Sequence, residues 1–93
     1  MGFIFEWDSV KAESNERKHG VAFPEAGTVF NDELALTFFD PAHSVDENRY
    51  VTIGRSATGR LLVAAHTQRG ARIRLISARE ATDNERRRYE DAY

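Results

Sequence analysis

Hydrophobic and polar positions change period several times along the chain, and those changes divide it into elements. The richest stretch runs from residue 60 to 79, RLLVAAHTQRGARIRLISAR. Leu61, Leu62, Val63, Ala64 and Ala65 form a continuous apolar run of the kind a buried strand uses. Thr67-Gln68-Arg69-Gly70 then supplies a tight turn, with Gly70 free to take positive φ, and residues 71–77 alternate as a returning strand. Side chains two apart in a strand share a face. Ala71, Ile73, Leu75 and Ser77 therefore point one way, and Arg72, Arg74 and Ile76 the other. In the preceding strand His66 shares parity with Arg60, Leu62 and Ala64.

The remaining pattern completes the layout. Residues 3–7 (FIFEW) read as a short aromatic strand. Asp8 follows as an N-cap for a helix that runs to Lys18 or His19 and ends at Gly20. Its apolar content is poor, but Lys11, Asn15, Lys18 and His19 share one face. Pro24 opens a second helix whose Phe23, Ala26 and Phe30 form a packing stripe, and Asn31-Asp32 ends it. Residues 34–39 and 49–55 read as strands, Ser56-Ala57-Thr58-Gly59 as a hairpin turn, and Thr82-Asp83-Asn84-Glu85 as the capping box of a last helix to about Ala92. Two helices between a first strand and a run of hairpin-linked strands give an α+β fold. It comprises a short N-terminal strand, two helices, an antiparallel sheet of about four strands and a C-terminal helix. The helices cover one face of the sheet, and the arginines and His66 are expected on the other.

Length and composition narrow the class. Ninety-three residues make a single domain, 1–93, with room for one core and a shallow site. The chain has no cysteine, which excludes disulfides, thiol catalysis and zinc-thiolate sites. Glu6 and Asp8 fall where the apolar part of a signal peptide should run, and no apolar run approaches transmembrane length, so a cytoplasmic protein without membrane association is expected. The net charge of −2 hides an asymmetry. Residues 49–79 carry seven arginines and no acid, while residues 1–48 carry three basic residues against ten acids. Such an imbalance points to a nucleic-acid partner, and the competing reading is a solvated face whose arginines pair with the acids of the first half. Asp40, His43, Asp46 and Glu47 crowd one loop, but a polar loop offers nothing to make them converge on a metal.

Taken in order, Phe5-Glu6-Trp7-Asp8, Lys11, Asn15, Lys18-His19-Gly20-Val21, Gly59-Arg60, His66-Thr67, Arg74-Leu75-Ile76-Ser77-Ala78-Arg79, Glu85 and Tyr89-Glu90 resemble the BrnT toxins of the RelE-like ribonuclease group. The resemblance covers nearly the whole chain and departs at Gly27, where a better helix former is expected. It implies a RelE-like fold and a cytoplasmic toxin of a type II toxin–antitoxin system. It further implies RNA cleavage without a cofactor or metal, inhibition of translation, and neutralisation by a BrnA-like ribbon-helix-helix antitoxin. The resemblance implies, too, that operator DNA is bound only by the toxin–antitoxin complex. Metal-free cleavage through the ribose 2′-hydroxyl needs a base, an acid and cations for the phosphorane charge. The catalytic candidates are His66, Arg74, Arg79, Lys18 and His19, and the RNA-binding candidates are Arg60, Arg69, Arg72, Tyr89 and Lys11. A non-catalytic nucleic-acid-binding module, or an interaction module whose arginines hold an acidic antitoxin segment, uses the same residues.

Overall fold

Asp8 stops the first strand and starts the first helix. In the computed structural model, which describes residues 2–92, its carboxylate accepts from the N–H groups of Val10 and Lys11 at 2.9 and 3.0 Å. The free amides of a helix start need such an acceptor. Strand β1 spans Ile4–Glu6 and helix α1 Ser9–His19. Gly20 ends α1 at φ 70°, the left-handed cap that its position predicts. Helix α2 covers only Phe23–Gly27 and tightens into a 3-10 turn over Thr28–Asn31, where a single helix was expected. The Thr28 hydroxyl donates to the Glu25 carbonyl at 2.6 Å at the point of change. Gly27 has a packing reason. A Cβ there would stand 3.2 Å from the Phe5 ring, so the glycine lets α2 lie against β1.

The strands that follow are β2 Leu36–Phe39, β3 Arg49–Arg55, β4 Leu61–Arg69 and β5 Arg72–Glu80, and helix α3 spans Asp83–Asp91. The β4–β5 turn lies at Gly70 (φ 61°) and Ala71, later than the sequence pattern places it, because Thr67 to Arg69 still pair with β5. The capping box of α3 forms as read, Thr82 and Glu85 bonding each other's backbone N–H.

The sheet order is β1-β5-β4-β3-β2. Strands β2 to β5 form an antiparallel meander, but β1 joins the outer edge of β5 in parallel, pairing Ile4 with Arg72 and Glu6 with Arg74. The sheet is thus five-stranded and mixed rather than four-stranded and antiparallel. A three-residue strand has no stability alone, and pairing with β5 sets Phe5 against the core.

Both faces of the sheet are used. On the near face, Val21, Phe23, Ala26 and Val29 of the helical layer pack on Leu62, Ala64, Ile73, Leu75 and Ala78, with Trp7 half-buried beside them. On the far face, Ile53, Leu61 and Val63 pack with Tyr89 of α3. A bulge at Ile76 changes which residues belong to which face: Ala65 pairs with Ser77, and His66 with Leu75. Ser77 and Arg79 therefore lie on the far face and Ala78 on the near one, reversing the strict alternation that the sequence suggests beyond Leu75. No helix among the described residues is long and apolar enough to cross a membrane.

Asn15, buried on α1, ties the near layer to the sheet. Its amide N–H groups donate to the carbonyls of Val21 and Ala78 at 3.0 and 2.9 Å, and its Oδ1 accepts from the Ala78 N–H at 3.0 Å. Asn15→Leu has nearly the same size but leaves those backbone groups unpaired in the interior. We expect it to lower unfolding free energy by at least about 2 kcal/mol, because each buried orphaned group costs about 1–3 kcal/mol. Urea titration checks this, and a change below about 0.5 kcal/mol would show that water replaces the amide.

Candidate active site

The part of the far face that α3 leaves uncovered is a groove of about 610 Å³. Its floor is apolar, made by Val51, Val63, Ala65 and Ile76 beside the hydroxyl of Ser77. Arg49 enters from β3, Arg79 from β5, and Arg88 from α3. The opposite wall is the short 3-10 turn Pro41–His43, which places Asp40 and His43 at the groove. The Ile76 bulge is what brings Arg79 to this face.

The three arginines differ in how they are held. Arg79 makes a two-pronged pair with Glu85, Nη1–Oε1 2.7 Å and Nη2–Oε2 2.8 Å, and a third bond to the Glu80 carbonyl at 3.2 Å. The pair raises Arg79 above the ordinary guanidinium value and holds Glu85 down to about 2, the Arg79 hydrogen bond being the largest cause of the latter. Arg88 stacks over the Phe38 ring at 4.0 Å. That contact uses the face of the guanidinium and leaves its in-plane N–H groups available. Neither Arg49 nor Arg88 forms an ion pair among the described residues. On the opposite wall, His43 Nδ1 lies 2.8 Å from Asp40 Oδ2.

The other sequence candidates lie elsewhere. His66 is only 7% exposed and sits on the near face, not with the arginines of the far face. Its Nε2 is 2.8 Å from the Thr52 hydroxyl, which in turn meets Thr37 at 2.8 Å. Phe30 stands edge-on to the ring, and Tyr50 stacks on it. Burial drives its pKa down to about 4. The strand pattern read correctly that His66 shares a face with Leu62 and Ala64, but that is the face the helices cover. Tyr89, expected on RNA, is buried in the far-face core with its hydroxyl on Asp32 at 2.5 Å and Arg55 over its ring.

Arg60 is committed to structure. Its guanidinium grips Glu25 at 2.6 and 3.0 Å and also reaches the Gly20 carbonyl at 3.1 Å, tying the start of β4 to both helices. Glu25 also accepts from Ser56 and Thr58 at 2.8 and 2.6 Å. The Arg60 bond leads the causes that bring its pKa down to about 2. Arg69 forms a two-pronged pair with Glu47. Arg74 pairs with Glu6 at 2.9 Å, and Arg72 stands 3.9 Å from the same carboxylate. Lys11, Lys18 and His19 belong to α1, packed against the near face, with both lysines exposed and His19 half-buried. Of the ten sequence candidates, Arg79 alone lines the groove.

Arg49, Arg88, Ser77 and the Asp40–His43 pair escaped the site assignment. Arg49 and Arg88 were visible only within runs of like charge, and His43 only as a loop residue. The bulge that exposes Ser77 has no sequence signature here.

The buried histidine has a measurable consequence. Between about pH 6.5, the ordinary imidazole value, and about pH 4, the unfolded chain binds a proton at His66 that the folded chain refuses. Stability is therefore complete above pH 6.5 and falls as pH drops toward 4. Glu25 and Glu85, depressed from 4.5 to about 2, continue the loss below pH 4.5. Denaturant titrations at stepped pH should show that His66→Gln flattens the upper segment and Glu25→Gln the lower. A wild-type His66 resonance titrating near 6.5 would contradict the buried state.

The comparisons agree with this architecture. The family described as the ribonuclease toxin BrnT of type II toxin–antitoxin systems matches residues 7–85. No curated protein sequence matches the chain. Among solved structures, the crystal structure of the Brucella abortus ribonuclease toxin BrnT superposes with a TM-score of 0.66 at 24% identity, over 89% of this chain and 99% of that one. At that identity the superposition establishes that the two share an α+β fold. With the family match spanning the cap of α1, strands β2 to β5 and the start of α3, the chain belongs to the BrnT family of ribonuclease toxins of type II toxin–antitoxin systems.

Proposed function

We propose that this chain cleaves RNA in the far-face groove without a metal ion. In this reading the ribose 2′-hydroxyl attacks the adjacent phosphorus, and the groove arginines stabilise the charge that builds on the phosphoryl oxygens. The convergence of Arg49, Arg79 and Arg88 from three elements over an apolar floor carries the proposal. Arginine suits that task because it stays charged and offers a fork that matches phosphate geometry. Arg79, held rigid by Glu85, is preorganised for the transition state, while Arg49 and Arg88 supply phosphate contacts. The donor set does not favour a divalent ion, since each groove carboxylate already engages a partner, Glu85 the Arg79 fork and Asp40 the His43 ring.

RNA cleavage of this kind arrests translation. A type II toxin acts against an antitoxin partner, and we propose a BrnA-like ribbon-helix-helix protein that covers the groove and carries the complex to operator DNA. Hydrogen-exchange mapping of the complex should then protect the neighbourhood of Arg49, Arg79 and Arg88. Protection confined to α1 would indicate inhibition from a distance.

The catalytic reading is tested with purified protein and end-labelled RNA, supplied free and on ribosomes. Cleavage should persist in excess EDTA. Arg79→Ala should lower the rate by about 10²–10³, and Arg79→Lys should rescue poorly. Arg74→Ala, which removes a pair outside the groove, should retain far more activity than Arg79→Ala. Dependence on added Mg²⁺ would remove the metal-free mechanism, and a dominant Arg74 effect would move the site to the β1–β5 edge.

A further inference from the structure

We propose that His43, oriented by Asp40, is the general base of the groove. The proposal rests on the metal-free reading above and assigns an acid–base function that arginines cannot perform.

Two of the three histidines lie away from the groove. His66 is enclosed on the opposite face and its Nε2 is engaged by Thr52. His19 ends α1 in the near-face layer. His43 alone lines the groove that holds Arg79, and its side chain is 66% exposed. The ring is nevertheless held in place. Its Nδ1 lies 2.8 Å from Asp40 Oδ2, and Asp40 is itself tied down. The Asp40 N–H donates to the Arg49 carbonyl at 2.9 Å, and the Ser44 hydroxyl donates to the Asp40 carbonyl at 2.5 Å. Ser44 Oγ then accepts the Arg49 N–H at 2.9 Å, so the turn is laced to the first residue of β3.

A carboxylate on Nδ1 fixes the tautomer that leaves Nε2 as an acceptor and stabilises the imidazolium once Nε2 has taken a proton. Among the described residues no hydrogen bond engages Nε2. In the step this permits, Nε2 removes the proton of the ribose 2′-hydroxyl as its oxygen bonds to phosphorus. The bond from phosphorus to the 5′-oxygen breaks, and that oxygen leaves with a proton from water. The products are a 2′,3′-cyclic phosphate and a 5′-hydroxyl. The charged groups around the imidazole are Asp40 on its own turn, Asp46 and Glu47 in the following loop, and Arg49 on β3. Arg79, Glu85 and Arg88 line the same groove from β5 and α3.

The test compares wild type, His43→Gln, Asp40→Asn and Arg79→Ala in single-turnover cleavage across pH 5–9. Affinity is measured in parallel with 2′-O-methyl RNA of the same sequence, which lacks the nucleophile. We expect His43→Gln to bind this RNA nearly as wild type does but to cleave about 10²–10⁴ more slowly, with the acid limb of the pH–rate profile lost. Asp40→Asn should slow cleavage while leaving affinity for the 2′-O-methyl RNA near wild type, because the ring loses the carboxylate that fixes its tautomer, a split that a merely structural role would not produce. Wild-type rate and profile in His43→Gln, with Arg79→Ala inactive, would overturn the base assignment and leave the groove standing. Wild-type cleavage in all three variants would overturn both.

Discussion

The amide of Asn15 is the interaction on which the layering depends. Strand β1 ends at Glu6 while β5 continues to Glu80, so β5 has an outer edge with no strand of the described residues beside it. Asn15 supplies the missing partner. Its side-chain carbonyl and N–H₂ meet the N–H and C=O of Ala78 as the backbone of a further strand would, and the same amide holds the Val21 carbonyl. One residue thereby protects an open edge, fixes α1 to the sheet and sets the chain's direction into α2. With both N-terminal helices held on the near face, the far face is left to α3 alone, and the groove is what α3 does not reach.

Charge tells a similar story of partners across the chain. The arginine-rich second half is matched by acids from the first: Arg60 with Glu25, Arg69 with Glu47, and Arg72 and Arg74 with Glu6. Such pairs contribute modestly to stability when exposed, but they remove most of the apparent basic surface. The asymmetry along the sequence is largely a record of long-range pairing. Among the described residues, the groove cations without a carboxylate partner are Arg49, which opens β3, and Arg88, which sits on α3 outside the arginine-rich segment. Position relative to a groove, rather than density along the chain, separates the two groups.

Local chemistry was legible in the sequence because its causes are local. Asp8, Gly20 and the Thr82–Glu85 box each act within a few residues and each formed where read, and Gly70 took the positive φ expected of it, though in a turn that came later. The nearly complete BrnT-like pattern carried the family and with it the class of fold. The parallel placement of β1 could not be read, since pairing with β5 depends on residues some 68 positions away in sequence. Nor could the Ile76 bulge, which turns Arg79 to the groove and changes the face of every residue after it. The placement of His66 failed for a related reason. Alternation gives its neighbours on a strand but not which layer covers them, and burial among Phe30, Tyr50 and Thr52 is a tertiary fact.

The parallel seam between β1 and β5 also governs when the molecule can exist. Joining residues 4–6 to residues 72–74 closes a loop of most of the chain, as does the bond from Asn15 to Ala78. Closing so long a loop carries an entropy cost before the contacts repay it, so folding is ordered by topology and comparatively slow. During synthesis the first strand emerges long before its partner, and Arg79, Glu85 and Arg88 follow only with β5 and α3. A nascent chain therefore carries no assembled groove. The order of the elements delays the finished site until α3 has left the machinery that made it.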